Sequence, residues 1–308
     1  PAGLKGEARA MLTDLRRRRP ATRLVLGLRD VVDDPSATVG AWRREGIYPL
    51  LDEVYDRILV YGQRDVFDPV AAYGLSARAA AKVRFVGYLR RAAEPVPAEV
   101  RALRSDGRPL VLVTAGGGGD GAPLFDAFAR GCAAHTAPLP FRAVVVAGPF
   151  LPAEDARRLR RLAEPVDGLT VLASVPGLAG VIDAADAVVA MAGYNTTCEI
   201  LSFGKPALLV PRTHPRREQL IRAAALQRRG LVDMLPPEAA TPERLMAGVA
   251  ALLSGPRRAP RPVALDGLER VADELVALLD GLPSDDRPDA ASRPRRAAAH
   301  AHPEEARR

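Results

Sequence analysis

Between Gly107 and Gly255, short β-branched and apolar runs alternate repeatedly with segments of helical period, and this alternation constrains the fold more than any other feature of the chain. Runs at 110–114, 143–147, 169–173, 187–191, 207–210 and 231–234 predict strands, each followed by a turn and a helix. Near-continuous apolar strands are what burial on both faces of a sheet produces. The pattern therefore predicts an α/β unit, a parallel sheet covered by helices on both sides, over residues 107–256. Upstream the alternation is thinner, with a helix at 5–18 and strands at 23–27, 57–61 and 83–88. Residues 1–94 are accordingly expected to form an incomplete N-terminal Rossmann-like domain beside a complete C-terminal one, with earlier βα units expected upstream of Pro1. The stretch 95–106, which opens on Pro95 and Pro97, reads as the linker. A C-terminal helix is expected within 257–282, its apolar stripe formed by Leu268, Val271, Leu275, Val276 and Leu279. The Pro-, Ala-, Arg- and Asp-rich residues 283–308 are expected to be a disordered tail.

Composition removes several classes of function. The apolar runs fall well short of the ~20 residues that cross a bilayer, and no charged-then-apolar leader opens the chain, so a cytoplasmic location is expected. Two cysteines, Cys132 and Cys198, and four histidines without ligand spacing predict neither a disulfide framework nor a metal centre, and no cofactor. A formal charge of +7 invites nucleic acid, but aromatics make up only 5% of the chain and are not interleaved with the basic residues. Single-strand binding needs such stacking platforms, so nucleic acid is not expected as a partner. The run Arg16-Arg17-Arg18-Arg19 suits either an anionic membrane surface or, more simply, the negative end of the helix that precedes it.

Three loops at predicted strand ends carry the polar chemistry. Thr114-Ala115-Gly116-Gly117-Gly118-Gly119-Asp120-Gly121 leaves a strand and enters a helix, where glycines let backbone amides approach an anion; a plain tight turn is the competing reading. No Gly-Lys-Ser/Thr follows, so it is not a Walker A loop. Met191-Ala192-Gly193-Tyr194-Asn195-Thr196-Thr197-Cys198-Glu199 is placed likewise. Its first-turn amides suit a diphosphate, and Glu199, about a turn further in, suits a pair of ribose hydroxyls. Ordinary N-capping by Asn195 or Thr196 is the alternative. The third loop, from Val210 to Gln219, gathers His214, Glu218 and Gln219. Three such loops at the edge where open α/β sheets collect ligands point to one shared site.

The stretch Gly193–Glu199 resembles the Gly-x-x-Thr-x-x-Glu element of the bacterial peptidoglycan lipid-intermediate N-acetylglucosaminyltransferases and the related element of UDP-sugar natural-product glycosyltransferases. The small-residue turn at 202–206, Pro211 and Gln219 follow in the order of those families, and the run from Leu26 to Pro35 resembles a group of bacterial predicted glycosyltransferases. The resemblance spans roughly residues 107–255. It implies a GT-B fold and a nucleoside-diphosphate-sugar donor, with UDP-sugar favoured. It also implies that Gly116, Gly117, Gly118, Asn195 and Thr196 face the diphosphate, that Glu199 holds the ribose and that Ser174 and Val175 lie beside the base. Gln219 and His214 would approach the sugar. A lipid-linked acceptor and peripheral contact with the inner face of a membrane are further implications. Arg222 departs from the families' Gln-x-x-Asn-Ala pattern, which leaves the sugar open.

A metal-independent transferase can rely on helix dipoles and amides to stabilise the departing diphosphate. Asp30-x-x-Asp33-Asp34 could be read as a metal motif, but Pro35 and the helical pattern at 36–46 favour a loop and an N-cap. Arg29 and Asp30 end a predicted strand and are the acceptor-side candidates. The catalytic base is expected upstream of Pro1. A nucleotide-sugar hydrolase or epimerase, or a non-catalytic donor-binding subunit, are the rival functions.

Overall fold

The computed structural model describes residues 6–255 and 263–281. Six parallel strands, β4 (Leu110–Thr114), β5 (Arg142–Val146), β6 (Leu169–Leu172), β7 (Ala187–Ala190), β8 (Ala207–Leu209) and β9 (Asp233–Met234), form one sheet in the order β6-β5-β4-β7-β8-β9. Counted from β4, that is the three-two-one-four-five-six order of a doubly wound Rossmann sheet. Three further parallel strands, β1 (Val25–Arg29), β2 (Arg57–Tyr61) and β3 (Val83–Phe85), form a separate small sheet in the order β1-β2-β3.

The two-residue period of a strand sorts the large sheet's side chains into two cores. Leu110, Leu112, Val144 and Val188 face one way, against Val181, Ile182, Ile200 and Leu226. Val111, Val113, Val145 and Val189 face the other, against Phe125, Phe128, Leu245 and Val249. All of β4 is sealed from solvent, so its apolar run is unbroken rather than alternating. The small sheet has its own core of Trp42, Ile47, Leu51, Ile58 and Tyr73. Asp34 caps the helix Pro35–Arg44, accepting from the amides of Ser36 and Ala37, as its place before a proline at the first helical position predicts.

Residues 263–281 return to the small sheet. The Tyr88 amide donates to the Ala264 carbonyl at 2.8 Å, and the Ala264 amide donates to Gln63 Oε1 at 3.1 Å. From the helix Gly267–Asp280, Glu274 then pairs with Arg57 at 3.3 Å and Arg84 at 3.5 Å.

Several boundaries depart from the sequence expectation. The strand expected at 23–27 begins at Val25, because Arg23 and the Leu24 amide are both engaged by Asp56. The strand expected at 83–88 ends at Phe85, since Gly87, at φ +82°, turns the chain towards residue 264. The linker carries a short helix, Ala98–Ala102, anchored by buried Val100. In the C-terminal helix only Val271, Val276 and Leu279 of the expected stripe are half-buried, while Leu268 and Leu275 are exposed. The helix is held through Glu274 as well as through that stripe. The tail 283–308 lies outside the described residues.

Phe128 is fully enclosed between the large sheet and its covering helices. Phe128→Ala is expected to lower unfolding free energy by about 3–5 kcal/mol, read as a fall in the urea midpoint at an unchanged slope. A midpoint shift worth under about 1 kcal/mol would mean the site collapses around the deletion.

Candidate functional site

The direction of sheet winding reverses between β4 and β7, and this opens a crevice at the carboxyl ends of those strands. The two glycine-containing loops predicted to meet a ligand leave these two strands. They touch: a Cβ built on Gly116 would lie 3.4 Å from Thr196 Oγ1. The glycines of the first loop are there for close backbone approach. Gly118 is at φ +89°, and a Cβ on it would collide with the Ala147 carbonyl oxygen. Gly148, after β5, is at φ +88°, and a Cβ there would sit 2.5 Å from the Gly116 carbonyl oxygen. Thr114 Oγ1 accepts from the Gly116 amide at 3.2 Å, which fixes the exit from β4. Phe150 donates its amide to the Gly117 carbonyl at 2.8 Å and leaves its ring 74% exposed on the rim.

The second loop opens the helix Tyr194–Phe203 with Gly193 as N-cap and no side-chain cap. Capping by Asn195 or Thr196, the simpler sequence reading, is therefore not the arrangement present. Asn195 is exposed, Thr196 is buried beside Gly116, and the space over Gly193 is open to 4 Å. A helix N-terminus of this kind offers amide donors and a partial positive charge to an anion. Glu199 is half-buried one turn on, with Arg91 Nε 3.8 Å from its Oε1. Burial pushes its carboxyl above the ordinary range, against the pull of Arg91 and with the help of nearby Glu94.

The third loop joins the glycine loop through Arg212. Its Nη1 lies 2.7 Å from Asp120 Oδ2 in the glycine loop, and its Nη2 lies 3.0 Å from Glu218 Oε1. Gln219 is buried and accepts from the Arg212 amide at 3.2 Å. His214 is exposed, with Nδ1 3.2 Å from Thr213 Oγ1. Ser174 and Val175 follow β6, two strands from the crevice. Ser174 lines a separate small cavity of about 160 Å³ with Gly148 and Arg160, and Val175 packs on the core.

The acceptor-side expectation needs correction for Asp30. It is wholly enclosed, bound by Arg222 and inaccessible to an acceptor. Arg29 is exposed, its guanidinium 5.7 Å from the Tyr194 ring centre. The three carboxylates of the aspartate run have different tasks. Asp30 holds Arg222, Asp33 accepts from the Arg217 amide at 2.7 Å, and Asp34 is the helix cap. Sequence reasoning also missed Arg212 and the role of Arg222. A signal for the latter existed: Gln219, Arg222, Ala223 and Leu226 fall at the spacing of one helical face, and all are buried. An arginine on such a face requires a buried counter-charge.

A hollow of about 1110 Å³ opens at the opposite edge of the sheet, between Pro109, Asp186, Pro206 and Val232. It gathers no comparable set of loop amides, and ligands of open α/β sheets sit at the carboxyl ends of the strands. The crevice is where the three polar loops stand, and it is the candidate site.

Comparisons with known proteins bear on the family and the fold. The chain is similar to the UDP-N-acetylglucosamine–N-acetylmuramyl-(pentapeptide) pyrophosphoryl-undecaprenol N-acetylglucosamine transferase of a Methylobacterium species, with 33% identity over 218 residues, 67% of this chain and 57% of the relative. It is also similar to the transferase of the same description from Methylorubrum extorquens, with 33% identity over 128 residues, 40% of this chain and 35% of the relative. The chain thus spans well under two thirds of the curated relatives it matches. Among solved structures, the glycosyltransferase of kitacinnamycin superposes with a TM-score of 0.55 at 21% identity, over 91% of this chain and 67% of that one, so the fold is of the GT-B kind. The model of the glycosyltransferase family 28 C-terminal domain matches residues 111–274, more than half of the 308 residues and the whole of the crevice. The chain belongs to glycosyltransferase family 28.

Proposed function

We propose that the chain binds a nucleoside-diphosphate sugar, with UDP-sugar favoured, at the β4/β7 crevice, and transfers the sugar to an acceptor without a metal. The observation that carries this reading is the uncapped N-terminus of Tyr194–Phe203 facing the glycine loop, with Thr196 beside Gly116. The amides there are donors already in place for the charge that develops on the leaving diphosphate, which is electrostatic catalysis by preorganisation. Glu199 would take the ribose hydroxyls and the Gln219 amide the sugar. His214 stands at the rim of the same loop cluster. Ser174 and Val175 are the proposed neighbours of the base. Relatives named for an undecaprenol-linked substrate support a lipid-linked acceptor, and with it peripheral membrane contact. Among the described residues no helix is long and apolar enough to cross a membrane. The division into an N-terminal acceptor-side domain at 1–94, a linker at 95–106 and a donor domain at 107–256 belongs to the same proposal.

Calorimetry with UDP, GDP, dTDP and ADP, without added metal, is expected to show one preferred diphosphate, UDP. Glu199→Ala should weaken it by tenfold or more, about 1.4 kcal/mol. Equal affinity of the variant would remove Glu199 from the ribose.

Gly118→Ala forces a methyl group into the Ala147 carbonyl at a left-handed φ. It should therefore displace the loop and reduce UDP affinity at least as far. Unchanged binding would show that the amides of this turn do not touch the ligand.

The ionised carboxylate of Glu199 is the form that accepts from hydroxyls, and burial holds its pKa above the ordinary 4.5. UDP affinity is therefore expected to be full at neutral pH and to fall on acidification, beginning at higher pH than an ordinary glutamate would give. Titrations repeated across pH 5 to 8 on wild type and Glu199→Gln check this: the variant should lose the Glu199-linked fall, and an identical slope in both would assign the pH dependence elsewhere.

A further inference from the structure

Arg222 is the largest fully buried side chain among the described residues, and it is charged. It stands in the middle of the helix Glu218–Arg228 and reaches out of the large sheet's layer to the end of β1 in the small sheet. Nε lies 3.1 and 3.0 Å from the two Asp30 oxygens and Nη2 lies 2.7 Å from Oδ1, a bidentate, charge-assisted pair between residues far apart in sequence. The remaining arm, Nη1, donates to the Ala192 carbonyl at 2.9 Å. Ala192 immediately precedes Gly193, the N-cap of the diphosphate-facing helix. The guanidinium carbon also lies 5.6 Å from the centre of the Tyr194 ring, and the Tyr194 hydroxyl donates to the Tyr61 carbonyl at the end of β2 at 3.1 Å. Asp30 in turn accepts from the Val31 amide at 2.7 Å and from the Tyr88 hydroxyl at 3.4 Å.

The turn 192–194 is thus tied at both ends to the small sheet, through Arg222 to Asp30 and through Tyr194 to Tyr61. We propose that Arg222 is a positioning residue: it couples the small sheet to the donor turn, setting the direction of the amides at 193–196 by holding the Ala192 carbonyl while Asp30 holds Arg222. Resting on the donor site proposed above, this coupling makes nucleotide affinity depend on a strand that does not itself touch the nucleotide.

Purely structural and positioning roles differ in what restores them. Breaking a buried ion pair by removing one partner is strongly destabilising, whereas replacing both by apolar groups of similar volume is often neutral or stabilising. The double variant Asp30→Leu with Arg222→Met should therefore recover most of the melting temperature that Arg222→Met alone loses. It still leaves the Ala192 carbonyl without its donor. The expected result is near-wild-type stability with UDP affinity reduced tenfold or more and faster hydrogen exchange at the amides of 193–197. Wild-type affinity and exchange in the stability-restored double variant would overturn the proposal and leave the pair as a fastening alone.

Arg222→Lys is the second arm and carries the test where the double variant fails to fold. A lysine keeps the charge for Asp30 but lacks the fork that serves carboxylate and carbonyl together. It should fold, bind UDP more weakly and exchange faster at the same amides; wild-type values of both would again overturn the coupling. The exchange measurement needs no nucleotide. Failure of wild type to bind any diphosphate would sink the donor-site reading, while the exchange difference would still decide whether Arg222 sets the turn.

Discussion

The reversal of winding between β4 and β7 governs everything placed at the candidate site. To one side of β4 the sheet grows to β5 and β6, to the other to β7, β8 and β9, so the crossover helices lie on opposite faces and diverge above the β4/β7 boundary. No helix can fill the gap between them, and the loops leaving β4 and β7 become neighbours there. Glycine is what lets them be close neighbours: Gly118 and Gly148 bring the loops after β4 and β5 together backbone to backbone, while Gly116 makes room for Thr196. The helix beginning at Tyr194 opens there without a side-chain cap on its first amides, and the proposed anion site uses those amides.

Legibility in the sequence followed burial. The large sheet was readable because its inner strands are covered on both faces and so appear as apolar runs with few interruptions; the boundaries of β4 coincide with the run at 110–114. The small sheet was harder. Its edges are set by polar side chains acting at a distance, as when Asp56 engages Arg23 and the Leu24 amide and delays the start of β1. No local pattern announces a partner over thirty residues away. The C-terminal helix was legible as a helix but not as a surface. Leu268 and Leu275 belong to its apolar stripe and are nonetheless exposed, because attachment through Glu274 to Arg57 and Arg84 sets its orientation too.

The candidate site was legible where chemistry is local. Gly116, Gly118 and Gly193 occupy strand-to-helix turns, and the meaning of a glycine there can be read from neighbours in the chain. Asp30 was misread because a carboxylate at the end of a strand has two fates, facing a cleft or neutralising a buried cation. Only the identity of its partner separates them. That partner was present in the sequence as an arginine on a helical face otherwise occupied by Gln219, Ala223 and Leu226. Two anomalies of opposite charge in buried positions are each other's explanation.

Three arginines of one helical region reach the small sheet's acidic groups, and they are not equal. Arg217 lies 3.7 Å from Asp34 and is 57% exposed, and Arg229 pairs with Asp65, which is 62% exposed. Pairs that reach solvent on at least one side are weaker than sealed ones and lose strength in salt. The Asp30–Arg222 pair is sealed from solvent on both sides, so salt cannot screen it and separation cannot be gradual. Pulling the two sheets apart at that point would expose or strand two charges at once, and the side-chain pair of Tyr88 with Asp30 adds a third polar group to be resolvated. Among the described residues, the relative placement of the sheets is therefore held by this buried pair, by Val66 and Tyr88 packed into the large sheet's core, and by shallower contacts around them. Because the same arginine holds the Ala192 carbonyl, any motion that separates Arg222 from its partners must also release the turn proposed to face the diphosphate.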